Sequence, residues 1–429
     1  MYILTYNHTL MKRFLLLFTI TLVASAASYA QRYVGGDISQ YPLMQAAGAK
    51  YFDHDGRIIA EPISYYKQIG MNAMRVRLFV DPSKYTGNDK DANACQDLAY
   101  VKKLAKSIKD AGHKLMLDFH YSDTWADPAK QWTPADWTSL TDEELYQKIY
   151  DYTKDVLQQM VAAGATPELI QTGNEISYGM LWGAYTTNSN SSALKKCYST
   201  SDANWDRFTT LLKQAGKACR EVCPQAKIIL HTERVPNASV LKDFYTRMRN
   251  ANVDYDIIGL SYYPCWHGPL STLETAINSM ETNFADKDIM VVEVGYSLKW
   301  ALGGTTYDYT DTYPYTDEGQ CNFTQDLITM LNKHSKVTGL FWWNMDYNGY
   351  GANLSGWWNA PLFDSETGRA TSALYVMKNF MGNTSGIESV NSTPDTHPDA
   401  SWYTLDGKRT ERPSQQGVYV HQGKKIIIK

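Results

Sequence analysis

The sequence predicts an eight-stranded β/α barrel (a TIM barrel) with long loops, because apolar strands and helical stretches alternate and the strands number eight. From Tyr33 onward, short β-branched or apolar runs are separated by segments with 3.6-residue periodicity. Such alternation implies parallel pairing through crossovers, and eight repeats close into a barrel. An open doubly wound sheet is the alternative fold, but no glycine-rich phosphate fingerprint follows the first strand. The predicted strands cover residues 33–39, 72–79, 114–119, 168–174, 227–232, 256–262, 289–294 and 337–343.

Three helices are predicted from apolar stripes with helical spacing. The first covers residues 98–108 and the third covers residues 273–284. The second covers residues 145–160, and Thr141 with Glu144 supplies a capping box at its start. Helices at these positions would connect successive parallel strands.

The N-terminus has the pattern of an export signal. A basic pair at 12–13 precedes the apolar run 14–27, and Ser28 and Ala30 provide small residues at a cleavage site. We therefore expect residues 1–30 to be a cleavable signal peptide. The mature protein would act in the periplasm, on the cell surface or outside the cell.

Length and charge limit the remaining possibilities. A barrel needs about 250 residues, so a chain of 429 residues has room for long loops and an appendage. The net charge of −4 gives no electrostatic footprint for nucleic acid or an anionic membrane. After the signal region no apolar stretch approaches 18 residues, so we expect no transmembrane segment in the mature chain.

The composition changes after the barrel. We assign residues 31–382 to the catalytic barrel and residues 383–400, which are rich in Ser, Thr, Asn, Asp and Pro, to a linker. Residues 401–429 contain strand-like runs and are predicted to form a small C-terminal β-hairpin segment.

Two glutamates follow apolar barrel strands, where reactive groups of this fold lie. Glu175 closes the fourth predicted strand and Glu293 closes the seventh. Glycoside cleavage requires two carboxyl groups, which in retaining enzymes are about 5–5.5 Å apart. The alternative is a pair of ordinary strand-end carboxylates held by Arg or Lys, but the Asn174-Glu175 pair together with Glu293 favours an enzyme.

Five motifs occur in order within about residues 33–380. They are GDIS at 36–39, VRLFVDP at 76–82, LDFHYSDTWADPAKQ at 117–131, GNEI at 173–176 and GLSYYP at 259–264. This set resembles glycoside hydrolase family 53, the arabinogalactan endo-β-1,4-galactanases. The longest motif is the strongest match, and the resemblance covers nearly the whole barrel.

The resemblance implies a function and the residues that carry it. Glu175 would be the acid/base and Glu293 the nucleophile of a retaining double displacement. Asn174 would bind the sugar 2-hydroxyl. The substrate would be β-1,4-galactan of type I arabinogalactan, a side chain of pectin, and the enzyme would act as a monomer without a required cofactor.

Further candidates for substrate binding follow the first strands. Arg75 and Arg77 alternate onto one strand face, and we expect one of them to orient Glu293 and keep it ionised. For the other arginine a buried ion pair is the alternative. Asp118 and His120 follow the third strand, where His120 is expected to contact a sugar hydroxyl or to tune a glutamate.

Aromatic and loop residues complete the predicted site. The chain has 12 Trp and 31 Tyr, whose rings suit stacking on sugars as well as core packing. Tyr263 is expected to hydrogen-bond Glu293, and Trp125 and Trp343 are candidate stacking platforms. Because Trp342 precedes Trp343 on an alternating strand, one of these two is expected to face the core. Asp127 and Lys130 would bind sugar hydroxyls, with salt bridging of loops as the alternative. The candidates for outer subsites or loop packing are Trp300, Trp357 and Trp358.

A metal is not expected. Some bacterial members of the family carry a calcium loop after the seventh strand, rich in Asp, Asn and His at alternating positions. Residues 300–320 contain acidic side chains but lack that run. The six cysteines show no zinc spacing, and their spacing identifies no disulfide pairs.

Two other functions remain compatible with the residues. A retaining enzyme of the same clan could act on β-mannan or β-glucan instead of galactan. A barrel without catalytic activity could bind glycans through its aromatic residues. The presence of both glutamates and Asn174 weighs against the second of these alternatives.

Overall fold

The computed structural model describes residues 31–350 and 360–382, together with short strands between residues 402 and 428. The chain divides into two compact units, Met1–Gly382 and Asn383–Lys429. The predicted signal peptide (1–30) and the predicted linker (383–400) lie outside the described residues. None of the described helices is long and apolar enough to cross a lipid bilayer.

The first unit contains a closed barrel of eight parallel strands in sequential order, which confirms the predicted fold. The last strand pairs with the first, so the sheet has no free edge. Every predicted strand boundary falls within two residues of the observed one. The strands are β1 (Tyr33–Asp37), β2 (Ala73–Leu78), β3 (Lys114–Phe119), β4 (Leu169–Thr172), β5 (Lys227–Thr232), β6 (Ile257–Tyr262), β7 (Asp288–Val294) and β8 (Val337–Trp342).

Helices pack around this barrel. The predicted capping box is present, because the Thr141 hydroxyl accepts from the backbone of Glu144 and the Glu144 carboxylate accepts from the backbone of Thr141. The apolar stripe of that helix is buried on the outside of the barrel. The described helices are α1 (Tyr41–Ala46), α2 (Pro62–Gln68), α3 (Leu98–Asp110), α4 (Asp142–Ala162), α5 (Trp205–Val222), α6 (Ala238–Asn250), α7 (Pro264–His267), α8 (Leu270–Asn283), α9 (Asp317–Leu331) and α10 (Ser372–Val376).

The interior of the barrel changes from apolar to polar along β2, β3, β4 and β5. Its lower part is filled by a separate apolar cluster. Because side chains alternate along a strand, the next inward position lies two residues further on. A polar residue occupies that position, so polar side chains line the interior at the upper end of the barrel. These pairs are Ala73 and Arg75, Met116 and Asp118, Leu169 and Gln171, and Ile229 and His231.

One irregularity of the barrel places Glu293. The register between β6 and β7 shifts so that Leu260 pairs with Val291 and Ser261 pairs with Glu293. Val292 is the extra residue of this bulge, and its side chain belongs to the interior cluster. Regular alternation would send the following residue outward, but a bulge re-aims a side chain. As a result Val292 and Glu293 both face the interior.

The second unit contains a four-stranded antiparallel sheet, which extends the hairpin that the sequence predicts. The strand order is β10-β9-β11-β12. The two longest strands pair with each other between Gly417 and Ile428. The strands are β9 (Trp402–Thr404), β10 (Arg409–Thr410), β11 (Gly417–His421) and β12 (Lys424–Ile428).

Candidate active site

The carboxyl ends of the strands open into a cleft of about 720 Å³. Eight of the twelve residues that the sequence predicts for the site line this cleft. The other four are Arg75, Arg77, Asp118 and Lys130. The eight lining residues are His120, Trp125, Asp127, Asn174, Glu175, Tyr263, Glu293 and Trp343.

The two predicted catalytic glutamates face each other across the cleft. A carboxylate oxygen of Glu175 and one of Glu293 lie within 4.8 Å of each other. Retaining glycosidases need carboxyl groups about 5–5.5 Å apart, whereas inverting enzymes place them about 6.5–9.5 Å apart to admit a water molecule. The observed separation is closer to the retaining spacing than to the inverting one, and it fits nucleophilic attack by one glutamate.

Glu293 is buried among groups that favour its ionised form. The Arg75 Nη2 atom lies 2.9 Å from Glu293 Oε1, and the Tyr263 hydroxyl donates a hydrogen bond of 2.8 Å to Oε2. Burial raises the pKa of Glu293, and Arg75 and Tyr263 oppose that rise. These contacts are the ones that the sequence predicts: Tyr263 binds Glu293, and one arginine orients Glu293.

Arg75 is the arginine that orients Glu293, and its guanidinium also binds several other side chains. Its guanidinium is buried and lies 3.0 Å from Asp37 and 2.7 Å from Asp118. The Nη2 atom also donates to Asn174 Oδ1 at 2.8 Å. One buried cation thus positions the nucleophile candidate and the neighbouring amide together.

Arg77 takes the alternative role of a buried ion pair. Its Nη1 atom lies 3.2 Å from Asp37 and donates to Asn344 Oδ1 at 3.1 Å. The Cζ atom lies 4.4 Å from the centre of a Trp125 ring. Arg77 is fully buried, so it supports this tryptophan from the protein side.

Glu175 has different surroundings from Glu293. Its Oε1 atom accepts a hydrogen bond of 2.6 Å from the Ser261 hydroxyl, and within the described ranges no cation lies within ion-pair distance of it. Burial, followed by the negative charges of Glu293 and Glu233, raises the pKa of Glu175 well above its ordinary value. A carboxyl group of this kind keeps its proton and can act as an acid.

The backbone of Glu175 is also unusual. Its φ of 48° lies in the left-handed region, directly after Asn174 and after Gly173, whose φ is 106°. A residue other than glycine adopts this conformation rarely, and such strain is concentrated at functional sites. The turn aims the carboxyl group into the cleft instead of along the strand direction.

Asn174 and His120 line the cleft and both bind the backbone of Ala126, and Asp118 lies beside His120. Asn174 Nδ2 donates to the Ala126 carbonyl at 2.8 Å. His120 Nδ1 accepts from the Ala126 backbone at 3.0 Å, so its proton is on Nε2, which lies 3.1 Å from Asp118. Both ring nitrogens of His120 are therefore engaged with protein atoms. Because Asp118 is fully buried, we assign it a positioning role rather than the direct sugar contact that the sequence suggests. We assign His120 the same role, since both of its ring nitrogens are engaged with protein atoms.

Asp127 and Lys130 both lie on the long third loop, but their side chains have different surroundings. Asp127 lines the cleft and accepts backbone hydrogen bonds from Ala129 and Lys130. The Lys130 amine binds Asp89 at 2.8 Å, outside the cleft lining. Lys130 therefore follows the alternative of a salt bridge, made to the preceding βα-loop.

The predicted aromatic platforms lie side by side. The ring centres of Trp125 and Trp343 are 6.3 Å apart with planes tilted by 57°. Trp342 is fully buried, and its indole donates to the Ala360 carbonyl at 2.6 Å. Of the outer candidates, Trp300 is 41% exposed, while Trp357 and Trp358 lie outside the described residues.

One group of side chains in the described structure has the proximity needed to hold a metal ion. Glu175, His231 and Glu293 place one ligand atom each within 4.8 Å of one another. His231 Nε2, however, lies 2.7 Å from the Ser261 hydroxyl, and Nδ1 lies 3.0 Å from Asn174 Oδ1. An ion would have to compete with these hydrogen bonds, and we assign it no part in the site.

Sequence reasoning missed several residues that shape the cleft. Gln171 Nε2 donates to Asp118 at 2.6 Å, and its inward position could have been recognised from strand alternation. Ser261, which binds Glu175, lies within a quoted motif but carries no signal of its own. Glu233 follows β5 directly, and a carboxyl group at that strand end could have been noted. Trp266 and His267 come from the short helix α7, which the sequence does not reveal.

The chain is similar to proteins of one family. The model of glycosyl hydrolase family 53 matches residues 33–377. An arabinogalactan endo-β-1,4-galactanase from Cellvibrio japonicus is 31% identical over 383 residues, which cover 83% of this chain and 94% of that protein. One from Thermothelomyces thermophilus is 30% identical over 361 residues, covering 81% and 99%.

A solved structure agrees with these sequence relationships. The family 53 catalytic domain from Ignisphaera aggregans has a TM-score of 0.69 and 30% identity to this chain. The match covers 82% of this chain and 97% of that domain. This protein therefore belongs to glycosyl hydrolase family 53 and is a glycoside hydrolase.

Proposed function

We propose that this protein cleaves internal β-1,4-galactosidic bonds of galactan and type I arabinogalactan with retention of configuration. The observation that carries the proposal is the pair of carboxyl groups, Glu175 and Glu293, within 4.8 Å of each other in an open cleft. Family membership and similarity to named galactanases support the choice of polymer.

In the first step Glu293 attacks the anomeric carbon of the galactosyl unit. Glu175 transfers its proton to the glycosidic oxygen, and the bond between that oxygen and the anomeric carbon breaks. The shortened chain leaves with the proton, and a covalent galactosyl ester forms on Glu293. Arg75 and Tyr263 hold the attacking carboxylate in its ionised form and in position.

In the second step Glu175, now ionised, takes a proton from a water molecule. The resulting hydroxide attacks the same anomeric carbon from the face that the leaving group occupied, and the ester to Glu293 breaks. Two inversions give net retention, and Glu175 recovers its proton. Protons and electrons balance with water as the only co-reactant, so the mechanism requires no cofactor.

Asn174 and the two tryptophans position the substrate. Asn174 Nδ2 donates one hydrogen to Ala126, and its other hydrogen is offered to the sugar 2-hydroxyl. That contact strengthens as the anomeric centre becomes positively charged. Trp125 and Trp343 present flat apolar surfaces to the sugar rings.

We also propose that the protein is exported and works as a monomer. Galactan is a polymer that does not cross membranes, so an enzyme that cleaves it internally must meet it outside the cytoplasm. The export pattern at residues 1–30 and the lack of a spanning helix among the described residues are consistent with this location.

The decisive experiment is digestion of linear β-1,4-galactan, followed by product sizing and by proton NMR of the newly formed reducing ends. We expect a mixture of short oligosaccharides early in the reaction and initial formation of the β-anomer. β-Mannan and mixed-linkage β-glucan serve as matched polymers and should remain intact. Initial release of the α-anomer, or cleavage of mannan or glucan without cleavage of galactan, would contradict the proposal.

A further inference from the structure

A third carboxyl group, Glu233, borders the catalytic cleft. It follows β5, the strand next to β4, and is 9% exposed. Its Oε1 atom accepts a hydrogen bond of 2.6 Å from Ser177 and lies 3.2 Å from Arg234 Nε. Its Oε2 atom is buried and has no hydrogen-bond partner in the described structure. Buried polar atoms are nearly always paired, so an unpaired oxygen at a cleft wall indicates a place for a ligand.

Glu233 also borders a second cavity of about 430 Å³. This cavity shares Pro128, Glu233 and His267 with the catalytic cleft, so Glu233 lies where the two meet. Its wall includes Tyr178 and Arg234, whose Cζ atom lies 4.2 Å from the centre of the Tyr178 ring. The two side chains provide a flat surface with a charged edge, which suits a sugar ring and its hydroxyl groups.

The position of this cavity relative to Glu175 indicates which sugar it would meet. Glu175 is held by Ser261 of β6, and Glu233 follows β5, so both lie on the side of the mouth formed by β4, β5 and β6. Trp343 follows β8, and Trp125, which follows β3, lies beside it with the ring centres 6.3 Å apart. The oxygen that Glu175 protonates belongs to the departing sugar, so we expect the chain on the leaving-group side to extend toward Glu233.

We propose that Glu233, with Arg234 and Tyr178, forms a sugar-binding subsite on the leaving-group side, in which the Glu233 carboxyl group binds a hydroxyl group of a galactosyl unit. This inference rests on the proposed galactanase function. Ser177 and Arg234 hold one oxygen of the carboxyl group, and the other oxygen has no hydrogen-bond partner in the described structure. Glu233 thereby contributes to the choice of leaving group without taking part in the bond-breaking step.

The test compares two substrates that share the same galactosyl units before the scissile bond. One is a galactan oligosaccharide, whose leaving group is a sugar, and the other is an aryl β-galactobioside, whose leaving group lacks sugar hydroxyls. We expect Glu233→Ala to lower kcat/KM for the oligosaccharide by roughly tenfold or more relative to its effect on the aryl substrate, as for a charged hydrogen bond. Galactobiose added as an acceptor should also give a lower ratio of transfer to hydrolysis, because acceptors bind in the same subsite.

Matched variants separate this role from a structural one. Glu233→Gln retains one acceptor and should recover part of the loss, and it replaces Glu233→Ala if that variant fails to fold. Glu168→Gln changes the same residue type at the opposite end of β4, where Glu168 pairs with Lys114, and should behave as wild type. Equal effects on both substrates, or an unchanged transfer ratio, would overturn the subsite. A wild-type enzyme that leaves galactan intact would instead contradict the proposed function.

Discussion

The end of β4 and the end of β7 each supply a glutamate to the same cleft, but the partners of the two carboxyl groups differ in charge. Glu293 lies beside the guanidinium of Arg75 and accepts from Tyr263. Glu175 accepts from the neutral hydroxyl of Ser261 and faces the negative charges of Glu293 and Glu233. One cation beside one member of a close carboxyl pair therefore decides which carboxyl group keeps the proton.

The two strand ends also depart from regular geometry in different ways. At β7 an extra residue, Val292, turns Glu293 inward. At β4 a left-handed backbone at Glu175, next to Gly173, turns the carboxyl group toward the same space. Both irregularities bring the carboxyl groups together, and both occur at the positions where the proposed chemistry needs them.

The largest expected effect comes from removing either carboxyl group. Glu175→Ala should lower galactan cleavage by about 10²–10⁴-fold, the usual contribution of a general acid, and Glu293→Ala should lose at least as much. Azide distinguishes the two roles on an aryl galactoside with a good leaving group. It should replace water in Glu175→Ala and give the β-azide, whereas it should replace the nucleophile in Glu293→Ala and give the α-azide. The same anomer from both variants would contradict the assignment.

Weakening the cation beside Glu293 should make the pKa values of the two carboxyl groups more alike. Arg75→Lys keeps a charge but loses the planar fork that reaches several carboxylates. The pKa of Glu293 should rise, so that activity on the acid side of the pH profile is lost at a higher pH than in wild type. We expect kcat to fall about tenfold, which corresponds to roughly 1.4 kcal/mol.

Arg220→Lys is the control for that change. Arg220 also binds a carboxylate through two nitrogens, Nε and Nη2 to Asp254, but on the outer surface. Its replacement should leave the pH profile unchanged. An acid limb that stays in place in Arg75→Lys would show that Arg75 does not set the charge of Glu293.

Tyr263→Phe removes one hydrogen bond from Glu293 and leaves Arg75 in place. A hydrogen bond to a charged group contributes about 1.5–3 kcal/mol, so kcat should fall by about ten- to a hundredfold if the bond is kept in the transition state. Tyr262→Phe is the matched control, because the neighbouring hydroxyl donates to the Gly268 carbonyl in the core. Equal losses of kcat in the two variants would show that the hydroxyl group of Tyr263 contributes no more to catalysis than that of Tyr262.

The smallest expected effect is on stability. Because the pKa of Glu175 is raised in the folded protein, its stabilising contribution is present at low pH and is lost as the pH rises through that pKa. Glu175→Gln should therefore unfold at a higher temperature than wild type, with a difference that grows from pH 5 to pH 8. Glu293→Gln should gain less or lose stability, because it leaves Arg75 with one carboxylate fewer. Equal shifts in calorimetry would show that the two surroundings are equivalent.

Much of this arrangement could be predicted from sequence. Strand alternation gave the barrel and its boundaries, and the motifs gave Glu175, Glu293 and Asn174 their positions at one mouth. The contact between Tyr263 and Glu293 was also predictable, because the two residues lie at the carboxyl ends of neighbouring strands.

The remainder depended on three-dimensional detail. The sequence around Val292 does not indicate a bulge, because every residue in that run is apolar except Glu293. Arg75 and Arg77 have the same periodicity, and only the positions of Asp118 and Trp125 separate their roles. The sequence predicts that His120 contacts a sugar hydroxyl or tunes a glutamate, and only the structure shows that the Ala126 backbone and the buried Asp118 engage both of its ring nitrogens.

The assignment of Glu293 as nucleophile and Glu175 as acid/base is tested most directly by trapping the covalent intermediate. A 2-deoxy-2-fluoro-galactobioside with a good leaving group slows the second step more than the first, because fluorine destabilises the charged transition state and the leaving group needs no acid. Mass spectrometry of the digested protein then identifies the labelled residue. We expect one fluorinated galactobiosyl group on Glu293, and a label on Glu175 would contradict the assignment.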